Sequence, residues 1–251
     1  MTKVAIYLLS FNRPNFILAT INSILNQTFQ DFKLYILDNS QGLPKPMVKE
    51  KLQTLTDPKI KIFYEDNFMH VGEAYYRLSV ELSDKDEEYS LFYADDSIMH
   101  PKKLEILVDF MDKHSEADMA GGQLCLDGTF EKQGWDGTPG PGGFGEISCA
   151  SCQFNFIQPL IRRKIIDTIG KWRTVETNSP QIADSTYWLQ VSEKGFTKIY
   201  GAAALGINFC LDANYKGTYG YPQKWSQMMD AIRNSGSLEM QLFEGGQPAG
   251  H

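Results

Sequence analysis

Four short apolar runs alternate with segments of helical periodicity, and this alternation restricts the fold more than any other feature of the sequence. The runs cover residues 4–9, 32–37, 60–64 and 89–93. Apolar spacing predicts helices between and after them, one following Pro14 and others over residues 48–55, 71–82 and 102–112. Continuous apolar strands in a β-α-β-α order pair in parallel and are buried on both faces. We therefore expect an α/β fold with a mostly parallel central sheet flanked by helices.

The second half of the chain has a weaker pattern. It predicts strands over 119–126 and 196–200 and helices over 163–169 and 182–194. Gly170 and Gly195 are expected to close the two helices, since glycine adopts the positive φ found after a helix. The Pro44–Pro46 region is expected to break the chain, and Arg162, Arg163 and Lys164 to form a solvated helix start. The Gly-rich segment 134–145 is either a loop over a bound sugar or a plain surface crossing.

Composition excludes several classes of protein. The net charge is −7, with 42% apolar and 22% charged residues, so the chain lacks the positive field that attracts nucleic acid. No apolar run reaches the roughly 18 residues of a membrane span, and no signal peptide is apparent. We expect a cytoplasmic protein, with peripheral attachment to a membrane left open. Cys149 and Cys152 form a lone CxxC without further metal ligands nearby, so we expect ordinary thiols.

Two adjacent carboxylates, Asp95 and Asp96, follow the fourth apolar run. The carboxyl ends of strands form the edge where open α/β sheets bind ligands. Carboxylates there are costly unless they meet a cation or a hydrogen-bond donor. A divalent metal that carries a diphosphate is a suitable partner, whereas the plainer alternative is an exposed turn at the strand end.

The motifs, in order, resemble those of GT-A glycosyltransferases of family 2. The resemblance spans roughly residues 3–200 and is carried by VAIYLLSFNRP (4–14), TINSILNQTFQDF (20–32), DNS (38–40), Asn67 with GEAYYR (72–77), ADD (94–96) and ADS (183–185). It implies a single GT-A domain over residues 1–240, followed by a flexible tail, 241–251. Residues 1–115 would bind the nucleotide sugar and residues 116–240 the acceptor.

Several residues of the first half are candidates to bind the donor. Asp38 could accept a hydrogen bond from the N–H of uracil or thymine, or alternatively cap a turn with Asn39. Ser10, Asn12 and Arg13 lie on the first strand-to-helix turn, within reach of the same ligand. Arg77 could contact the diphosphate or the base, and its alternative is an exposed position on a helix.

The resemblance also implies a metal site that departs from the family pattern. Asp96 aligns with the last Asp of the DxD motif, which would bind Mn²⁺ or Mg²⁺. Ala94 replaces the first Asp, and Asp95 takes the middle position, where it could contact the ribose or the sugar. A late His that many relatives supply to the metal is also missing, and Asn208 stands near its place.

Asp184 is the candidate catalytic base. By resemblance it would take the proton of the acceptor hydroxyl in a single, inverting displacement. Its alternative is a purely structural N-cap of the following helix, and Glu176 is a spare candidate for the base.

The expected reaction is sugar transfer from a UDP- or dTDP-sugar to a hydroxyl on a glycan, lipid, protein or other acceptor. Two alternatives belong to other classes. A nucleotidyltransferase also uses carboxylates at strand ends, although residues 10–14 lack its Gly-rich basic loop. A non-catalytic nucleotide- or sugar-binding protein would account for Ala94 and the missing His.

Overall fold

A computed structural model describes the backbone of residues 2–125, 145–147, 159–173 and 183–208, and the side chains of 2–121, 159–173 and 186–198. Its strands are β1 (Thr2–Ser10), β2 (Phe32–Asp38), β3 (Ile60–Tyr64), β4 (Glu87–Ala94), β5 (Ser97–Met99), β6 (Met119–Cys125), β7 (Gly145–Ile147), β8 (Leu160–Arg162) and β9 (Ile199–Asn208). Its helices are α1 (Ile17–Leu25), α2 (Pro44–Gln53), α3 (Val71–Tyr76), α4 (Lys103–Lys113), α5 (Arg163–Ile169) and α6 (Ala183–Glu193). A wider π-type turn, Arg77–Leu82, extends α3.

The described strands form one sheet in the order β3-β2-β1-β4-β8-β6-β9-β5, with β7 paired to β9. The neighbours among β3, β2, β1 and β4 are all parallel, which confirms the predicted α/β architecture. The short strand β8 was not predicted, and it runs antiparallel to both β4 and β6. It joins the strands of the first half to those of the second.

Apolar side chains cover both faces of the sheet. Along β1, alternate residues enter two different clusters: Val4, Ile6 and Leu8 face α1 and α4, whereas Ala5 and Tyr7 face α3 and α5. Each fully buried Leu or Ile stabilises the fold by about 1.5–3 kcal/mol. The continuous apolar runs therefore follow from strands that are covered on both sides.

Two predicted boundaries were wrong. Helix α2 begins at Pro44, where a break was expected, and ends at Gln53. The N–H groups in the first turn of a helix make no hydrogen bond within the helix, so proline, which lacks an N–H, is tolerated at both Pro44 and Pro46. Strand β9 begins at Ile199 rather than at residue 196. Gly170 and Gly195 both have the predicted positive φ, but the ψ of −124° at Gly170 lies outside the left-handed helical region expected for that cap.

The predicted solvated helix start was also wrong, because Arg163 is buried. Its Nη1 donates to Glu87 Oε1 over 2.7 Å and to the Tyr7 hydroxyl over 3.1 Å. Arg162 donates to the carbonyls of Ala117 and Met111. A carboxylate buried in β4 needs a cation, since an unpaired buried charge is very costly. These arginines thus tie the second half of the chain to β1, β4 and α4.

An aromatic cluster packs α3 against α6. The Trp172 ring stacks on Tyr187 at 4.2 Å and on Tyr75 at 5.4 Å between centroids, and it meets Phe92 edge-on at 5.3 Å. A Cβ added to Gly72 of α3 would lie 3.0 Å from the Trp172 Cβ and 3.1 Å from its Cε3. The helix can approach the indole this closely because residue 72 has no side chain.

We predict that Gly72→Ala lowers the free energy of unfolding by about 1–2 kcal/mol, because rings on both sides prevent Trp172 from moving away. Without the clash, alanine would stabilise the helix by up to about 1 kcal/mol, so the sign of the change is diagnostic. Urea denaturation measures the effect, with Glu73→Ala on the same helix as control. Equal or higher stability of Gly72→Ala would contradict the packing.

A lysine is buried behind the end of β4. Lys103, the first residue of α4, is 1% exposed, and its Nζ lies 5.3 Å from the centre of the Tyr93 ring. Burial lowers the pKa of Lys103 to about 7, since a low-dielectric environment disfavours the charged form. Below that pH the folded protein carries a poorly solvated ammonium.

We predict that Lys103→Met stabilises the protein at pH 7 by an amount that shrinks as the pH rises. Between about pH 7 and about pH 10 the unfolded chain binds more protons at Lys103 than the folded chain does, so wild-type stability rises with pH. The difference in the free energy of unfolding between Lys103→Met and wild type should therefore shrink by about 1 kcal/mol per pH unit. Urea denaturation at several pH values tests this. The exposed neighbour provides the control variant Lys102→Met, and a pH-independent gap for Lys103→Met would refute the prediction.

Candidate active site

The parallel register brings the carboxyl ends of β1, β2 and β4 to the same level. Ser10 pairs with Asp38 across β1 and β2, and Leu9 pairs with Ala94 across β1 and β4. The polar residues that follow these strands therefore lie along one edge of the sheet. This is the edge at which ligands bind in open α/β sheets.

Asp95 fixes the turn between β1 and α1. Its side chain is 1% exposed; Oδ2 accepts the Phe11 N–H over 2.8 Å, and Oδ1 accepts Arg13 Nη1 over 2.7 Å. The Thr20 hydroxyl donates to the Asp95 carbonyl over 3.1 Å. Burial raises the pKa of Asp95 to about 6, while Arg13 acts to lower it and the charge of Asp96 to raise it. Both carboxylate oxygens hold protein groups, and a contact with ribose or sugar stays a prediction.

Asp96 lies nearer the surface, with its side chain 13% exposed. Its Oδ2 is 3.3 Å from Arg13 Nη2, and its Oδ1 accepts the Ser97 hydroxyl over 3.4 Å. In the described part of the chain, no three His, Cys, Asp or Glu side chains are grouped to hold a metal. One carboxylate fits a Mg²⁺-like ion that takes its remaining ligands from phosphates and water.

Asp38 is fully buried at the end of β2, and one of its oxygens makes no well-formed hydrogen bond with the described residues. Oδ1 accepts the Ser40 N–H over 3.1 Å. Asp38 therefore caps a turn, as in the alternative considered above, but its partner is Ser40 and not Asn39. Oδ2 and the Ser10 hydroxyl make no well-formed hydrogen bond with the described residues, although the hydroxyl lies close enough to the Asp38 carboxylate to act against the rise of its pKa. Burial raises the pKa of Asp38, and the bond from Ser40 opposes the shift. An unsatisfied buried polar atom costs about 1–3 kcal/mol, so this oxygen favours a ligand that donates a hydrogen bond.

Asn12 joins the turns that follow β1 and β2. It has a φ of +56°, a conformation that Asn tolerates better than most residues. Its N–H donates to the Ser40 hydroxyl over 2.9 Å, and its Oδ1 accepts the Gln41 N–H over 2.8 Å. The Asn39 side chain in turn exchanges two hydrogen bonds with the backbone of Met69. The loops after β1, β2 and β3 are therefore bound to one another.

Arg77 lies beside the same loops, where α3 passes into the π-type turn. Its Nε is 2.8 Å from Glu65 Oε1, and its side chain is partly exposed. The Glu65 N–H donates to the Asp38 carbonyl over 2.9 Å, which places this ion pair next to the end of β2. Contact with a nucleotide stays a prediction for Arg77.

Two aromatic residues at this edge were missed from the sequence. The rings of Phe11 and Phe68 meet edge-on at 5.7 Å between centroids, and Phe68 also meets His70 at 5.2 Å. Phe68 is 55% exposed. In the sequence, the only sign that these rings belong to the site was their position, because Phe11 stands between the candidates Ser10 and Asn12 and Phe68 follows Asn67. An exposed ring that contacts Phe11 and precedes Met69, the residue bonded to the Asn39 side chain, is suited to contact a planar base.

The candidate base lies on α6. Asp184 is the second residue of that helix, close to the predicted helix start, but its side chain is outside the described residues. Tyr187, one turn further along, anchors α6 to Phe92 of β4 at 5.5 Å between centroids. Glu176, Cys149, Cys152, residues 134–144, the side chain of Asn208 and the tail 241–251 also lie outside the described part.

Among the described residues, no helix is both long and apolar enough to cross a membrane.

Comparison with solved structures supports the fold. S. aureus TarS in complex with UDP-GlcNAc matches with a TM-score of 0.58 at 14% identity, over 82% of this chain and 58% of that chain. The TarS complex with UDP matches with a TM-score of 0.56 at 13% identity, over 97% and 70% of the two chains. At this identity the likeness concerns the fold, and it confirms the predicted GT-A architecture.

Curated relatives match part of the sequence. Protein CgeD of Bacillus subtilis is 29% identical over 121 residues, 46% of this chain and 28% of the relative. An uncharacterized glycosyltransferase of Rickettsia conorii is 27% identical over 128 residues, 50% of this chain and 20% of the relative. The match thus spans less than a third of either relative's length.

The sequence model of the family "Glycosyl transferase family 2" matches residues 6–147, which is more than half of the chain. The matched region includes the residues at the carboxyl ends of β1, β2 and β4. The chain belongs to glycosyl transferase family 2, a family of transferases.

Proposed function

We propose that the chain transfers a sugar from a nucleoside diphosphate sugar to an acceptor hydroxyl, at the edge formed by β1, β2 and β4. The observation that carries this proposal is the pairing of two groups on one edge of a family 2 fold. Asp38 offers a buried oxygen that makes no well-formed hydrogen bond within the described part of the chain, and Asp96 offers a carboxylate near the surface. Residues 1–115 bind the donor and residues 116–240 bind the acceptor.

The donor carries a pyrimidine base, as in a UDP- or dTDP-sugar. The N3–H of uracil or thymine donates to Asp38 Oδ2, the oxygen that makes no well-formed hydrogen bond with the described residues. Phe68 and Phe11 contact the ring of the base from the adjoining loops. Ser10 and Asn12 line the same turn. The TarS complexes with UDP and UDP-GlcNAc support a uridine donor.

The diphosphate is neutralised by cations. Asp96 would hold Mn²⁺ or Mg²⁺, and when bound the metal supplies Lewis-acid stabilisation of the leaving nucleoside diphosphate. Arg13 and Arg77 add permanent positive charge along the same edge. Fixed cations at the position where charge develops lower the barrier to departure of the leaving group.

Asp184 is the general base. Its carboxylate takes the proton of the acceptor hydroxyl while the oxygen attacks the anomeric carbon. The new glycosidic C–O bond forms as the bond from the anomeric carbon to the diphosphate oxygen breaks. A single displacement of this kind inverts the configuration at the anomeric carbon.

A second candidate function has one observation in its favour. Ala94 stands where a carboxylate is expected, so the site offers less negative charge to a metal. A protein that binds the nucleotide sugar without transferring it would tolerate that loss. Slow hydrolysis of the donor would distinguish a transferase from such a binding protein.

Calorimetric titration of UDP, dTDP, GDP and ADP, each with Mn²⁺ and with EDTA, tests the proposed donor class. We expect UDP or dTDP to bind more tightly with Mn²⁺ and the purine nucleotides to bind weakly or not at all. Absence of binding by all four nucleotides would overturn the proposed function.

We predict that Asp96→Ala abolishes donor turnover and removes the gain in nucleotide affinity that Mn²⁺ provides, because the metal loses its protein carboxylate. Calorimetry with and without Mn²⁺ measures the binding effect. Asp109→Ala, an exposed carboxylate on α4, should behave as wild type. Unchanged turnover in Asp96→Ala would rule out the metal assignment.

We predict that Asp184→Asn keeps donor affinity but slows transfer by about two to four orders of magnitude, as expected for loss of a general base. Donor titration and single-turnover transfer separate the two effects. Glu176→Gln is the matched variant. If transfer survives in Asp184→Asn and is lost in Glu176→Gln, the base is Glu176.

A further inference from the structure

One guanidinium group bridges the two carboxylates at the end of β4. Arg13 Nη1 is bonded to Asp95 Oδ1 over 2.7 Å, and Arg13 Nη2 lies 3.3 Å from Asp96 Oδ2. The Asp95 carboxylate is buried and held on its other side by the Phe11 N–H. The Arg13 side chain is 31% exposed. The guanidinium is therefore held in place by the buried Asp95 carboxylate and remains accessible at the edge where the donor is proposed to bind.

The charges around Arg13 leave little attraction for a free metal ion. Two carboxylates and one guanidinium sum to a single negative charge, and Ala94 contributes none. The guanidinium is also within 3.3 Å of the one carboxylate proposed to hold the metal. A cation so close to Asp96 opposes the approach of a divalent ion. The same cation attracts a diphosphate, because arginine binds phosphate oxygens through several N–H groups.

We propose that Arg13 is a built-in counter-cation that neutralises part of the donor's diphosphate charge and competes with the divalent metal for Asp96. This inference rests on the proposed function. The donor consequently binds with measurable affinity in the absence of metal, and the metal binds well only together with the donor. Arg13 thereby compensates for the carboxylate that is missing at position 94.

Two opposite effects follow from removal of the charge. Without the guanidinium, nucleotide binding in EDTA weakens, because the diphosphate loses its cation. Binding of Mn²⁺ to the nucleotide-free protein strengthens, because Asp96 loses its competitor. A purely structural arginine would weaken both, since its loss would only disorder the edge.

The experiment is calorimetry on the full chain with UDP in EDTA and with Mn²⁺ alone. For Arg13→Gln we expect UDP affinity in EDTA to fall about tenfold and Mn²⁺ affinity to rise about fivefold. Arg13→Lys keeps the charge but loses the fork of N–H groups, so it should lose less UDP affinity in EDTA than Arg13→Gln. Arg173→Gln removes an exposed arginine paired with Glu193 and should match wild type.

The outcomes separate this inference from the proposed function. If wild type binds UDP with Mn²⁺ but not in EDTA, the counter-cation role of Arg13 is wrong and the proposed function stands. If wild type does not bind UDP under either condition, the uridine donor and the inference both fail. Arg13→Gln could unfold because Asp95 is left unpaired. In that case the wild-type titration in EDTA and the Arg13→Lys variant decide the question, and loss of all detectable UDP binding by Arg13→Lys in EDTA would overturn the role of charge.

Discussion

The buried carboxylate of Asp95 ties the end of β4 to the turn that leads from β1 into α1. A carboxylate removed from water must be matched by donors, and here a backbone N–H and a guanidinium supply them. The hydroxyl of Thr20 adds a bond from α1 to the same residue. The positions of Phe11 and Arg13 are therefore set by the requirement to compensate one buried charge. The other loops at this edge depend on that turn, because Asn12 binds the loop after β2 and Asn39 binds the loop after β3.

The second half of the chain is attached to strand β4, which leads to this edge. Arg163 of α5 pairs with Glu87 at the start of β4, and Tyr187 of α6 and Trp172, which follows α5, pack against Phe92 near the end of that strand. The strand that ends at Asp95 and Asp96 is thus also the strand against which α6 is packed. In the proposed reaction, this common support fixes the helix of the candidate base relative to the diphosphate site. Correct placement of reacting groups is a large part of catalysis, since small displacements lower the rate strongly.

Much of the first half could be predicted because its strands are buried on both faces. Continuous apolar runs identified β1, β2, β3 and β4. Because Asp38 and Asp96 come at or just after the ends of such runs, their place at the carboxyl edge of the sheet could also be predicted. The burial of Arg163 could not be predicted, because its partner Glu87 lies 76 residues away in sequence. Strand β8 has three residues, too few to display a period of two. The bridging position of Arg13 likewise depends on packing between β1 and β4, which the local sequence does not encode.

Amide hydrogen exchange of the whole chain, with and without UDP and Mn²⁺, tests the central claim most directly because it locates the ligand. The account predicts slower exchange in peptides that cover residues 10–13, 38–41 and 94–97, and unchanged exchange in α4, which serves as an internal reference. Slower exchange confined to other parts of the chain, with none at these three strand ends, would contradict the assignment of this edge as the donor site.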